Sequence, residues 1–158
     1  MEIKEISIYN RNIINTIMIN NWGATEIILR NKIIDGTKSK GFIAEDNNKM
    51  VGFLLYDIND DICEIIALYS FIEKKGIGSF LLNKIKEIAT LKKCDRIVVI
   101  TTNDNLIALK FYQKRGFFLS KLYCNAFDNI RKIKPNLPKL GENNIPLNDE
   151  IELVYKII

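Results

Sequence analysis

Two short segments combine residue types and spacings that could do chemistry. The first is Glu73-Lys74-Lys75-Gly76-Ile77-Gly78-Ser79. Its two glycines let the backbone approach a ligand closely. A helix starting there would add unpaired N–H groups and the positive end of its dipole. With Lys74 and Lys75 alongside, this is an anion site suited to phosphates. A plain tight turn with solvated lysines would use the same residues. A P-loop is excluded, because G-x-x-x-x-G-K-[ST] is absent. A dinucleotide fingerprint is excluded too, since it needs a third glycine and a parallel βαβ start. The second segment runs from Asn103 to Phe117. Asn105, Ala108 and Tyr112 are spaced to share one helix face, and the small Ala108 lets a ligand lie close. The rival reading is a core helix capped by Asp104 or Asn105.

What is missing narrows the chemistry further. There is no histidine in the 158 residues. That removes Ser-His-Asp triads, Cys-His pairs and His-containing metal sites. Acid–base work falls to Asp, Glu, Tyr, Lys, Cys, a terminus or water. Cys63, Cys94 and Cys124 are far apart and form no C-x-x-C pair, so they read as free thiols filling the core, and no metal is expected. The net charge of +4 is spread over short clusters, whereas nucleic-acid binders concentrate charge on one face. No apolar run approaches the ~20 residues of a membrane helix. Met1–Tyr9 lacks the build of a signal peptide. The expectation is a cytoplasmic protein with no nucleic-acid or membrane partner.

The elements that must position these segments follow from periodicity. Ile3, Ile6 and Ile8 predict a first strand within Glu2–Tyr9, and Ile13, Ile14, Ile17 and Met18 a helix over Asn12–Asn20. Trp22–Ile34 is ambiguous. Gly41–Glu45, Met50–Ile58 and Ile62–Tyr69 read as three antiparallel strands with turns at Asp46–Lys49 and Asn59–Asp61. A helix over Gly76–Leu91, a buried strand over Arg96–Thr101 and a helix over Leu106–Arg115 come next, Gly116 ending the last. Phe117–Tyr123 and Ile151–Ile157 are the final strands. The connection 124–150 holds Pro135, Pro138, Pro146 and Gly141 and no sustained period; loops of that length are often functional. With no repeat or linker, residues 1–158 form one domain on this reading. The class is α+β with a mixed, mainly antiparallel sheet, and the unit around Gly76–Leu91 is a parallel crossover.

The two segments, in this order, resemble the GCN5-related N-acetyltransferase (GNAT) superfamily. Its pattern is Q/R-x-x-G-x-G/A at a strand–helix junction, then N-x-x-A-x-x-F/L-Y-x-x-x-G-F. The chain has Glu73-Lys74-Lys75-Gly76-Ile77-Gly78, then Asn105, Ala108, Phe111, Tyr112, Gly116 and Phe117 in those places. It departs at Glu73, where the family has Gln or Arg. The 124–150 connection is also longer than the family's usual link.

The resemblance implies a three-layer fold with a splayed central parallel pair and helices on both sheet faces. It implies acetyl-CoA as co-substrate, with no metal. Amides around Lys74, Lys75, Gly76, Ile77, Gly78 and Ser79 would hold its pyrophosphate. Ile66, Ala67 and Leu68 would pair with the pantetheine arm, and the Leu68 amide would polarise the thioester carbonyl. Asn105 would hydrogen-bond the arm, beside Ala108 and Phe111. Tyr112 would protonate the leaving thiolate. Strand alternation puts Glu64, Ile66 and Leu68 on one face, which makes Glu64 a candidate base, with water as the alternative. Cys63 points away, and Trp22 either lines the acceptor site or anchors a core edge. The expected activity is direct acetyl transfer to a small-molecule or protein amine. The rival is a non-catalytic acyl-CoA-binding sensor or assembly module, and a homodimer is compatible with either. Residues 124–150 are expected to fold over the acceptor side, or else to be a surface excursion or oligomer contact.

Overall fold

The computed structural model describes residues 1–158. Its elements are β1 (Glu2–Glu5), α1 (Ile8–Trp22), β2 (Glu26–Leu29), β3 (Lys32–Asp35), β4 (Lys40–Asp46), β5 (Lys49–Asn59), β6 (Ile62–Ser70), α2 (Ile77–Leu91), β7 (Arg96–Thr102), α3 (Leu106–Gln113), β8 (Phe118–Tyr123), α4 (Ala126–Ile133) and β9 (Glu150–Lys156). The fold is α+β with a mixed seven-stranded sheet, ordered β1-β4-β5-β6-β7-β9-β8, and a separate β2–β3 hairpin. The β6–α2–β7 connection supplies the parallel pair, since parallel neighbours need a crossover and α2 provides it. No helix is long and apolar enough to cross a membrane. The chain divides into two compact units: Met1–Ile27 with Asp35–Ile97 and Ile157–Ile158, and Ile28–Ile34 with Val98–Lys156.

In the first unit, β1, β4, β5 and β6 pair antiparallel in turn. Asn47 and Asn48 join β4 to β5 with φ of 50° and 60°, the left-handed pair that matches the twist of a tight hairpin. Ile43, Phe53, Leu54, Leu55 and Ile65 are fully buried with Leu81, Leu82 and Ile85 of α2. Each such side chain contributes roughly 1.5–3 kcal/mol. The first strand is shorter than its isoleucines suggest. Ser7 Oγ accepts from Asn10 N at 3.2 Å, and this cap starts α1 at Ile8, four residues before the predicted Asn12. Gly23, at φ 80°, ends it.

The β5–β6 ladder holds a bulge that sequence alternation does not reveal. Leu54 faces Leu68 and Leu55 faces Ala67, but Tyr56 faces Ile65 and Asp57 faces Glu64. Ile66 is the extra residue. Opposed residues share a face and successive ones alternate. Leu68 therefore lies on the face of Leu54 and Tyr56. Glu64 lies on the other, with Asp57, Leu55 and Ala67. The expectation that Glu64, Ile66 and Leu68 share a face is corrected by this one-residue insertion. Tyr69, opposite Phe53, is on Glu64's face. It stacks on Phe53 at 5.7 Å and meets Trp22 edge-on at 6.1 Å, so Trp22 braces an aromatic cluster while staying 40% exposed.

In the second unit, β8 pairs antiparallel with β9. Arg30 and Asn31, at φ 50° and 61°, form the two-residue turn of the β2–β3 hairpin, which resolves the ambiguous stretch. Residues 124–150 are not a bare loop. They contain α4 and a 3-10 turn at Glu142–Asn144. Phe127 and Ile130, three apart on α4, are buried with Ile28 and Leu147, and Leu137 packs against them. Arg131 Nη2 donates to the carbonyls of Pro138 (3.0 Å) and Leu147 (2.7 Å). β8 is the last strand in the sheet order, and five of its six residues are exposed. A second bulge, at Ser120, interrupts its register between Leu119 and Lys121.

Candidate functional site

The first unit carries the Glu73–Ser79 loop. α2 begins at Ile77, with Gly76 as its N-cap at φ 75°. No side chain caps this end and no acidic residue stands in the first turn. A helix start carries the positive end of its dipole and its leading N–H groups, a setting that suits an anion. A Cβ built on Gly76 meets no protein atom within 4 Å, so the space over the loop is open. Lys74 and Lys75 are exposed beside it. Lys74 itself is held at φ 59°, a left-handed conformation that costs a residue with a Cβ roughly 1–2 kcal/mol. The charge is thus placed at a backbone position that favours glycine. Ile77 is buried, and Gly78 and Ser79 are half-buried. These residues fit an acidic phosphate group on the structure's own terms.

The same unit carries β6. Ile66 and Ala67 are 7% exposed, and Leu68 is half-buried. The bulge leaves Ile66 without a cross-strand partner on β5, and such irregularities free backbone groups and re-aim side chains beside sites. Glu64 is 8% exposed, opposite Asp57. Asp57 in turn accepts from the Ser39 hydroxyl at 3.3 Å. Cys63 is fully buried, and burial pushes its thiol up to about 12. It is core, as expected. Cys94 is buried as well, but Cys124 is exposed, which corrects the reading of all three as core.

The second unit carries α3. Asn105 is its cap: Oδ1 accepts from Ala108 N at 3.0 Å, which leaves the Nδ2 group to donate elsewhere. Ala108 and Phe111 are half-buried. Tyr112 packs edge-on against Phe111 at 5.1 Å and against Phe117 at 5.2 Å. The Arg115 guanidinium lies 3.8 Å over the Phe111 ring and its Nη1 donates to the Phe111 carbonyl. Tyr112 is 6% exposed, and burial raises its hydroxyl well above the ordinary tyrosine range. Gly116 closes the segment at φ 90°.

Two clusters in this unit escape the sequence reading. Glu150 and Glu152 are buried on one face of β9. Glu150 accepts from Arg30 N at 3.3 Å, and burial raises its carboxyl. Glu152 accepts from the Tyr123 hydroxyl at 3.0 Å and lies 3.6 Å from Arg30 Nη1. Charged residues read as surface unless their partners are known, so sequence gave no signal here. The other cluster joins Asn103 and Asp104 to residues 141–149; Gly141 was its one hint.

The profile of the Acetyltransferase (GNAT) family matches residues 9–117, which span both segments. The chain is 39% identical over 148 residues to YxbD of Bacillus subtilis, covering 93% of each protein. It is 33% identical over 91 residues to the acetyltransferase PseH of Campylobacter jejuni, covering 56% of this chain and 57% of that protein. Among solved structures, a GNAT family acetyltransferase from Elizabethkingia anophelis with acetyl-CoA bound superposes with a TM-score of 0.72 at 22% identity, covering 99% and 97% of the two chains. The family profile spans more than half of the chain and YxbD is 39% identical over 93% of it, so the chain belongs to the GNAT family of acetyltransferases.

Proposed function

We propose that this protein is an acetyl-CoA-dependent N-acetyltransferase that acts by direct transfer to a primary amine in a ternary complex, with no covalent enzyme intermediate. The observation that carries the reading is the start of α2. It has no side-chain cap and no acidic first turn, Gly76 opens onto empty space, and two lysines stand beside it. Acetyl-CoA supplies the activated acetyl group. Amides from Lys74 to Ser79 bind its pyrophosphate. The backbone of Ile66 and Ala67 aligns the arm, and the Leu68 N–H stabilises charge developing on the thioester oxygen. Asn105 Nδ2 donates to the arm, next to Ala108 and Phe111. A water takes the proton from the acceptor ammonium, with Glu64, on the strand face opposite Leu68, as the alternative base, and Tyr112 gives one to the departing sulfur.

The acceptor is a small-molecule or protein amine. A second reading, an acyl-CoA-binding sensor or assembly module without turnover, would leave the Tyr112 hydroxyl with no task, and the presence of Tyr112 in the Asn105–Phe117 segment favours catalysis. The test offers a panel of amines with acetyl-CoA and follows free thiol release. Turnover with at least one amine is expected. Tight acetyl-CoA binding with no turnover across polyamines, aminoglycosides, amino acids and peptide N-termini would favour the module, and absence of binding would refute both.

A further inference from the structure

We propose that Asp104 is a positioning residue: together with residues 141–149 it clamps the start of α3 and so fixes Asn105 for acetyl-CoA. The inference rests on the role given above to Asn105.

Asn105 makes only local bonds. Its N–H donates to the Thr102 carbonyl, its carbonyl accepts from Leu109 N, and its Oδ1 accepts from Ala108 N. None of these fixes where residues 102–108 sit in the unit. That task falls to the two residues before it. Asn103 N donates to the Asp149 carbonyl at 3.0 Å. Asn103 Oδ1 accepts from the backbone N–H of Asn148 (3.1 Å) and Asp149 (3.0 Å), and its Nδ2 donates to the Pro146 carbonyl at 2.8 Å. Asp104 is 5% exposed, and its Oδ2 accepts from Glu142 N at 2.7 Å. Its Oδ1 is buried with no partner, so the Glu142 bond is what holds a costly buried carboxylate in place. A Cβ on Gly141 would fall 2.0 Å from Asp104 Oδ2, so any side chain there would force the Asp104 carboxylate to move. Gly141 N donates to the Ile145 carbonyl at 2.8 Å, and the Arg131 bonds and the Phe127–Ile130–Leu147 cluster hold the rest of the segment. A stretch that reads as a loose connection is thus a brace whose inner face is shaped to the residue before Asn105.

The test is Glu142→Pro. Gly141 is extended, at φ −94° and ψ −151°, which suits a residue before proline, and position 142 opens a helical turn, where proline is tolerated. The change removes the N–H that Asp104 accepts, together with the exposed Glu142 side chain, and sets the ring against the carboxylate. The KM and the calorimetric Kd for acetyl-CoA should rise about tenfold, as a misplaced binding group would cause. The kcat at saturating acetyl-CoA should stay within about twofold, because Tyr112 sits two helical turns further on. Asp104→Ala should match it, and Asp104→Asn, which keeps an oxygen acceptor, should restore wild-type values. Asn105→Ala is the reference. If it raises the KM while Glu142→Pro and Asp104→Ala do not, the clamp is refuted and the role of Asn105 stands. If Asn105→Ala leaves the KM unchanged, the reading of Asn105 fails and the clamp with it. Amide exchange on the wild-type protein avoids any folding defect in the variants. Linkage is reciprocal, so acetyl-CoA should slow exchange at Glu142, Asn148 and Asp149; unchanged rates there would overturn the proposal.

Discussion

Replacing Tyr112 with phenylalanine separates catalysis from stability. The ring lies between Phe111 and Phe117, at 5.1 and 5.2 Å, and phenylalanine keeps those contacts. The hydroxyl sits in surroundings dry enough to raise its ionisation well above the ordinary value of 10, so removing it relieves desolvation. Stability should change by less than about 1 kcal/mol and can rise. A general acid contributes roughly 10²–10⁴-fold, or about 2.7–5.4 kcal/mol of barrier at 1.36 per decade. The acetyl-CoA Kd should be unchanged. A pH signature accompanies this. The folded state holds the proton more tightly than the unfolded chain, so the contribution is full below pH 10 and is lost above it. The melting temperature of the phenylalanine variant should therefore overtake that of the wild type on the alkaline side. The assay is thiol release at saturating acetyl-CoA and amine, under conditions where chemistry limits the rate, with parallel thermal melts from pH 7 to 11. Wild-type turnover in a folded variant would refute the proton-donor role.

Further expectations are simpler. Gly76→Ala should fold, since its Cβ meets no protein atom, at a cost of about 1 kcal/mol for the left-handed backbone, and should weaken acetyl-CoA in calorimetry by intruding on the anion's space. Lys74→Gly should move the two readouts oppositely: relief at φ 59° raises the melting temperature, while the lost charge lowers acetyl-CoA affinity, increasingly so at low salt. Iodoacetamide at pH 8 should modify Cys124 alone in the native protein, because Cys63 and Cys94 are buried with raised thiols; intact mass shows one adduct, and a second would contradict the packing.

The parts legible in the sequence were those whose signals are local. The helix over α2, the buried β7 and the Asn105–Phe117 helix each state their period within a dozen residues, and Asn47-Asn48 announces its turn. What stayed hidden depends on non-local pairing. Ile65-Ile66-Ala67 is apolar throughout, so no alternation marks Ile66 as the inserted residue, and the face of Glu64 came out reversed. Helix α4 has eight residues and three prolines follow it, so it has too few turns for periodicity to register, although Phe127 and Ile130 carry its buried face. The brace on Asn103 and Asp104 works mainly through backbone N–H and carbonyl groups of residues 141–149, which every sequence possesses. The same contacts change how that segment should be tested: cutting out 130–144 would strip Ile28, Phe127 and Leu147 of packing, so point changes at its anchors are the informative ones.

The insertion at Ser120 bears on what the open edge of the sheet offers to another chain. A terminal strand with Phe118, Leu119 and Leu122 in the open is a template on which another chain's backbone could add. The irregularity splits that template into residues 118–119 and 121–123. Neither stretch reaches the ~5–6 residues of an ordinary strand. Lys121 sets a charge at the break. An incoming chain finds two short, mutually twisted stubs in place of a continuous rail, and sticky side chains are tolerated there because the main chain beneath them gives no register on which to stack.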